Sequence, residues 1–250
     1  MKTFQVCGRS KSGKTATVTE IIRQLAKQQQ RVASIKSIHY EQFRMDSEGT
    51  DTFKHAAAGA DPVIAAGLHE TDILYQQSMD FMDIARKISA DWLVVEGFNE
   101  FALPKIACAK TKDELEHMVD RRTFAISGVI SREIKEYKKI PVFNIQKPEH
   151  IEKLISLIYE KTFPLLPYVD DACCRLCGLT CSKLVEAIVQ GEKKYEDCLI
   201  QKSDMKLRIG EKDIPMVPFV QNILRNTVIG IASELTGWEK NTKIELTINR

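Results

Sequence analysis

The stretch "GRSKSGKT", Gly8 to Thr15, constrains this chain more than any other part of it. It fits the pattern G-x-x-x-x-G-K-[ST] at every fixed position. Glycines at 8 and 13 let backbone amides curl around phosphate oxygens, and Lys14 reaches the terminal phosphates. Thr15 offers a hydroxyl to Mg²⁺, while the next helix aims its N-terminal amides at the anion. The pattern carries this meaning only between a strand and a helix, and the sequence supplies both. "TFQVC" precedes it as an apolar strand, and Val18, Ile21, Ile22 and Leu25 follow on one face of a helix. The candidate nucleotide-binding residues are therefore Gly8, Arg9, Ser10, Lys11, Ser12, Gly13, Lys14 and Thr15.

The chain continues in the same alternating manner. "RVASIK" reads as a strand and "PVIAA" as a shorter one; a helix near "TDILYQQSMDFMDIARKIS" leads into the strand "DWLVVEG". "KIACAK", "TFAISGVI" and "VFNI" follow, then a helix with Ile151, Leu154, Ile155 and Ile158 facing inward. The polar segment from about Gln42 to Thr52 reads as a loop. Strands interleaved with helices imply an α/β fold, a P-loop NTPase domain with a mainly parallel sheet covered on both faces. Pro164 and Pro167 stop the preceding helix and mark a boundary, giving domains over 1–163 and 164–250. The second domain reads as a small α+β unit rich in cysteine. In it, "MKLRIGEKDIPM" suggests a hairpin or bent strand. A helix from about Pro218 aligns Val220, Leu224, Val228, Ile231 and Leu235 before Gly237, and "KIELTI" alternates Ile244, Leu246 and Ile248.

Composition removes some function classes. Basic residues number 36 against 34 acidic, a formal charge of +2, so there is no electrostatic footprint for nucleic acid or an anionic membrane. No apolar run is long enough to span a bilayer, and "MKTFQVC" has no signal-peptide core, so a cytoplasmic location is expected.

A Mg²⁺ site needs a carboxylate at the end of a neighbouring parallel strand. Glu96 in "LVVEGF" has that position, and with Lys14 it forms the candidate catalytic pair. Asp46 and Asp51 in "DSEGTDTF" are further candidates for the ion or its water; a solvated loop acid is the plain alternative for each.

These residues occur in an ordered set: "GRSKSGKT", "IKSIH" at 35–39, "DSEGTDTFKHAAAGA" at 46–60, "LVVEGF" at 93–98 and "PKIACAK" at 104–110. The set resembles the molybdopterin-guanine dinucleotide biosynthesis protein B (MobB) family over residues 1 to about 160. The resemblance implies a GTP-binding accessory protein of molybdenum or tungsten cofactor biosynthesis, a weak GTPase acting as an adaptor. It would assist attachment of GMP to molybdopterin, the transfer itself belonging to a partner guanylyltransferase. It also implies that Gly8 to Thr15 bind phosphate, that Asp46, Asp51 and Glu96 lie around Mg²⁺, and that His39 falls at a family histidine position. A homodimer is expected. The guanine-reading motif N-K-x-D is missing, with "TKDE" at 111–114 only a near miss, so guanine over adenine rests on the resemblance.

Five of seven cysteines lie between Cys173 and Cys198. The spacing Cys174-x₂-Cys177-x₃-Cys181-x₁₆-Cys198 would let three close thiolates and a distant fourth hold a [4Fe–4S] cluster, with tetrahedral zinc as the alternative. Cys173 competes with Cys174 as first ligand. The stretch resembles the four-cysteine domain of corrinoid iron–sulfur proteins, although the gap between the second and third cysteines is one residue short. A second function stays open on these grounds: a nucleotide-driven metal-insertion or electron-transfer partner of a metalloenzyme. Cys7 and Cys108 read as small core residues.

Overall fold

The computed structural model describes residues 1–98, 101–168, 175–200, 205, 207–210, 212–214, 216–240 and 242–248. The chain divides into two compact units, Met1–Pro164 and Leu165–Arg250.

The first unit runs β1 (Lys2–Cys7), α1 (Lys14–Lys27), β2 (Val32–Lys36), α2 (Asp51–Ala57), β3 (Val63–Ala66), β4 (Thr71–Leu74), α3 (Phe81–Lys87), β5 (Trp92–Glu96), β6 (Lys105–Cys108), α4 (Lys112–Met118) and β7 (Thr123–Ser127). It continues through a 3₁₀ turn (Val129–Arg132), β8 (Glu136–Tyr137), β9 (Ile140–Pro141), α5 (Pro148–Lys161) and β10 (Phe163–Pro164). The main sheet has the order β2-β5-β1-β6-β7, with all four of these pairings parallel. β10 alone adds antiparallel, pairing Lys2 with Pro164 and Thr3 with Phe163 on β1. All five residues of β5 are buried, as expected of a central parallel strand whose two faces are both covered.

α1 buries Thr17, Val18, Ile21 and Leu25 as one stripe, and α5 buries Ile151, Leu154, Ile155 and Ile158. Pro148 opens α5, where its missing N–H costs no helical bond. Trp92 stands edge-on to Phe4 and Tyr159, with centroids 6.3 and 4.9 Å away, tying β5, β1 and α5 into one core. At the N-terminal end of β6, the buried Lys105 donates to the Met118 carbonyl (2.6 Å) and to Asp120 Oδ2 (2.7 Å). Asp120 also accepts from Arg122 Nε at 3.1 Å.

Three expectations need correction. "PVIAA" does form a strand, but β3 pairs antiparallel with β4 in a separate hairpin rather than joining the main sheet. The helix expected across residues 71–89 is only α3; its first part is β4, and Asp80 starts the helix by accepting from the Asp83 N–H at 2.8 Å. "VFNI" contributes a single parallel bridge, Ile126 with Val142, instead of a full strand.

In the second unit, α6 (Cys181–Val189) buries Leu184, Val185, Ala187 and Val189, and Thr180 caps it by accepting from the Lys183 N–H. β11 (Leu207–Ile209) and β12 (Lys212–Ile214) form the hairpin. α7 (Pro218–Ser233) follows, but Ile231 and, beyond the helix end, Leu235 are exposed rather than packed. Residues 242–248 hold no regular structure, and Ile244, Leu246 and Ile248 are exposed. Alternation alone makes no strand where no ladder partner is met. Among the described residues no helix is long and apolar enough to cross a membrane.

Candidate functional site

Parallel strands bring their C-terminal ends to one edge of the sheet, the edge where ligands of such folds bind. Register places Lys36, Glu96 and Val6 side by side there, with Cys7 beside Ala107 and Cys108 beside Ser127. Gly8 to Gly13 leave β1 at its centre and turn into α1.

The loop is walled by backbone. A Cβ on Gly8 would lie 2.2 Å from the Cys108 carbonyl oxygen and 2.5 Å from Ser12 Oγ, so only glycine fits. Gly128, after β7, has φ 90° and ψ −160°, a conformation essentially closed to other residues. It presses on the loop: a Cβ there would meet the Ser12 carbonyl at 2.2 Å, and Val129 N–H donates to that carbonyl at 3.1 Å. Beneath lies a buried polar chain. Cys108 Sγ donates to Thr17 Oγ1 (3.5 Å), Thr17 to Ser127 Oγ (3.3 Å), and Ser127 to the Phe143 carbonyl (2.9 Å). It fixes the first turn of α1 to β6, β7 and the segment after Val142. Burial pushes the Cys7 thiol up to about 11 and the Cys108 thiol up to about 12, so both stay protonated packing groups.

Several features suit an anion. Gly13 caps α1 in the left-handed conformation with no side-chain hydrogen bond, and no acidic residue sits in the first turn, so the helix's positive end is uncompensated. Ser12 Oγ is fully buried with no partner among the described residues. Lys14 Nζ folds back to the Arg9 carbonyl at 2.9 Å, which uses one of its three donors. Thr15 is exposed, as are Arg9, Ser10 and Lys11. A triphosphate fits these residues.

Glu96 is the carboxylate nearest that description of a Mg²⁺ partner. Its side chain is 10% exposed, and its only partner among the described residues is Lys36 Nζ at 3.7 Å. A buried carboxylate with no hydrogen bond has room for an ion's water. Asp46 and Asp51 differ. Asp46 Oδ1 accepts from Thr50 Oγ1 (2.7 Å) and the Ser47 N–H (2.8 Å), which hold its carboxyl below the ordinary range. Asp51 opens α2 and pairs with Lys54 at 2.9 Å, its side chain 87% exposed. Among the described residues no three of His, Cys, Asp or Glu converge on a metal position, so these acids do not form a preassembled cage. His39 Nε2 lies 3.3 Å from Ser37 Oγ.

The "TKDE" near miss has a structural use instead. Thr111 caps α4, and the buried Glu114 accepts from the Lys110 N–H at 2.7 Å, so neither side chain is left to read a base. Sequence reasoning missed Gly128, whose signal was a lone glycine directly after an apolar strand. It also missed Ser127 and Thr17, which carry no motif.

The cysteine expectation finds no support. Cys174 lies outside the described residues, as does Cys173. Cys177 Sγ donates to the Leu179 carbonyl at 3.5 Å, Cys181 opens α6, and Cys198 is buried beside Tyr195. These three do not come together as metal ligands.

Comparison with known proteins bears on the family and the fold. The family profile "Molybdopterin guanine dinucleotide synthesis protein B" matches residues 3–132. A putative molybdopterin-guanine dinucleotide biosynthesis adapter protein of Methanocaldococcus jannaschii is 30% identical over 259 aligned positions, covering 100% of this chain and 99% of its own. A probable adapter protein of the same description from Bacillus subtilis is 26% identical, covering 61% of this chain and 90% of its own. The crystal structure of Bacillus subtilis MobB superposes with a TM-score of 0.53 at 24% identity, over 63% of this chain and 98% of that one, which supports the fold. With a glycine-walled phosphate loop at the sheet edge and a relative matching from end to end, the chain belongs to the molybdopterin guanine dinucleotide synthesis protein B (MobB) family.

Proposed function

We propose that this protein binds GTP with Mg²⁺ at Gly8–Thr15 and acts in the cytoplasm as an adapter in molybdopterin guanine dinucleotide synthesis. It would present the nucleotide to the guanylyltransferase that joins GMP to molybdopterin. The observation that carries this reading is the loop itself. Its walls exclude any side chain at positions 8 and 128, and the α1 N-terminus has neither cap nor acid, so a polyphosphate is the missing counter-charge.

Each residue then has a distinct task. The amides of Gly8–Thr15 wrap the phosphates, and Lys14 exchanges its bond to the Arg9 carbonyl for a charge-assisted bond to the terminal phosphates. Thr15, with Glu96 through water, would hold Mg²⁺, which neutralises phosphate charge when bound. Lys36 Nζ lies 3.7 Å from the Glu96 carboxylate and balances its charge at the strand end. Asp46 and Asp51 contribute further out, to the ion's water, if the loop closes over the nucleotide. Hydrolysis is slow and not the purpose, because the nucleotide is to be passed on. A homodimer is retained in the proposal, which sedimentation equilibrium tests.

The iron–sulfur cluster is not carried into this reading, nor is the metal-insertion alternative, since the described cysteines do not converge. Four irons and four sulfides per chain in an anaerobic preparation would restore it. The adapter role is tested by reconstitution: the chain should stimulate GMP attachment by the guanylyltransferase from GTP, and Lys14→Ala should not. Equal stimulation by both forms would remove the nucleotide from the adapter's task.

A further inference from the structure

Glu114 stands three residues after Thr111, the cap of α4, where a capping-box acid ordinarily bonds the cap's own N–H. Half of that box is present, since the Glu114 N–H donates to Thr111 Oγ1 at 3.3 Å. The carboxylate departs from it. Its Oε2 accepts from the Lys110 N–H at 2.7 Å, one residue before the cap. We propose that Glu114 is a positioning residue for the phosphate loop, acting through the backbone of Cys108–Lys110. Its effect on GTP rests on the nucleotide reading above.

That segment is the wall of the loop. β6 ends at Cys108, so Ala109 and Lys110 run beyond the strand. The Cys108 carbonyl oxygen closes on Gly8, 2.2 Å from where a Cβ would stand. Ala109 closes on Gly128 in the same way, its N at 3.0 Å and its O at 3.1 Å from that glycine's would-be Cβ. Two bonds tie Ala109 to the turn after β7. Its N–H donates to the Ser127 carbonyl at 3.3 Å, and its carbonyl accepts from the Ile130 N–H at 2.9 Å. In that turn Val129 N–H holds the Ser12 carbonyl at 3.1 Å. Cys108–Lys110 therefore bears on the loop at its start through Gly8 and near its end through Gly128 and Ser12. The bond from Lys110 N–H to Glu114 fixes the far end of this wall to α4.

An acid beside a phosphate loop needs its charge balanced. The Glu114 side chain is only 8% exposed, and Lys110 Nζ lies 3.5 Å from its Oε1. The Lys110 N–H above all, then the Lys110 ammonium and the Arg9 guanidinium, hold its carboxyl below the ordinary 4.5. Glu114 is thus an ionised acceptor at neutral pH, and its bond to the backbone is charge-assisted. Arg9 belongs to the loop itself, so α4 attracts the loop by charge while it holds the wall by a hydrogen bond.

The test joins GTP titration in Mg²⁺ with hydrogen exchange of the nucleotide-free full chain, followed by NMR. Glu114→Ala leaves the Lys110 N–H unbonded, whereas Glu114→Gln keeps an oxygen within its reach. Glu114→Ala should weaken GTP binding by roughly ten-fold or more, and Glu114→Gln should recover most of that loss. Without nucleotide, Glu114→Ala should speed exchange at Ala109, Val129 and Ile130 while the β5 amides keep their wild-type rates. A merely structural role would instead raise exchange in β5 and at these three positions alike, which overturns the proposal. A loss in Glu114→Gln as large as in Glu114→Ala also overturns it. GTP affinity unchanged in Glu114→Ala but lost in Lys14→Ala overturns it too, and leaves the nucleotide site standing. A wild-type chain that binds no GTP overturns the nucleotide reading, and the exchange pattern then decides the positioning of the loop on its own.

Discussion

Gly128→Ala is the sharpest test of how the phosphate loop is held. At φ 90° and ψ −160° a residue with a Cβ is strained by about 1–3 kcal/mol. The added carbon would also lie 2.2 Å from the Ser12 carbonyl, 3.0 Å from Ala109 N and 3.1 Å from Ala109 O, all backbone atoms. Relieving the first overlap means moving the loop by the better part of an ångström and weakening the bond from Val129 N–H to Ser12. Such overpacking costs about 1–3 kcal/mol, so the total is about 2–6 kcal/mol. Gly59→Ala is the control, because that glycine has φ 103° with nothing within 4 Å of its would-be Cβ; backbone strain alone should cost about 1–2 kcal/mol. Urea unfolding read from the buried Trp92, in a Trp238→Phe background, compares the two in the first unit. GTP affinity should fall for Gly128→Ala and hold for Gly59→Ala. Equal losses of stability in the two variants would refute the bracing of the loop by the turn after β7.

Glu96→Gln should weaken Mg²⁺-dependent GTP binding more than binding in EDTA; a parallel loss in both would make Glu96 a partner of Lys36 and no more. Asp120→Asn should destabilise the first unit by about 2–3 kcal/mol at neutral pH, less than a fully buried pair because Asp120 is 36% exposed. Burial tends to raise the Asp120 pKa, but Arg122 and Lys105 together bring it below its ordinary 3.8. A depressed carboxylate stabilises the fold above its unfolded pKa and loses that contribution as pH falls from about 3.8 through the folded value. The gap between wild type and Asp120→Asn should therefore close on acidification below about pH 4, and a gap constant from pH 7 to pH 3 would contradict the pairing.

What the sequence displays well is whatever has a period or a fixed chemistry. β1, β5, β6 and β7 are apolar runs because both faces are covered, and α1 and α5 are stripes of four buried positions. The loop could be read because each of its fixed residues answers one need of a phosphate. Residues 71–89 went astray because apolar positions there fit helical spacing, while Asp80, an N-cap able to divide the segment, carried the decisive signal. Ile244, Leu246 and Ile248 alternate like a strand, yet a strand exists only through its partner, which no single segment specifies. Among the described residues Cys177, Cys181 and Cys198 do not converge on a metal position, which spacing along the chain alone does not reveal.

The most direct measurement is calorimetric titration of the intact chain with GTP in Mg²⁺, beside Lys14→Ala. One saturable site is expected, weakened in the variant by about 2–3 kcal/mol, or roughly 30- to 150-fold, through loss of the ammonium's charge-assisted bond to phosphate. GTP affinity indifferent to Lys14 would contradict the central claim that Gly8–Thr15 is where the nucleotide sits.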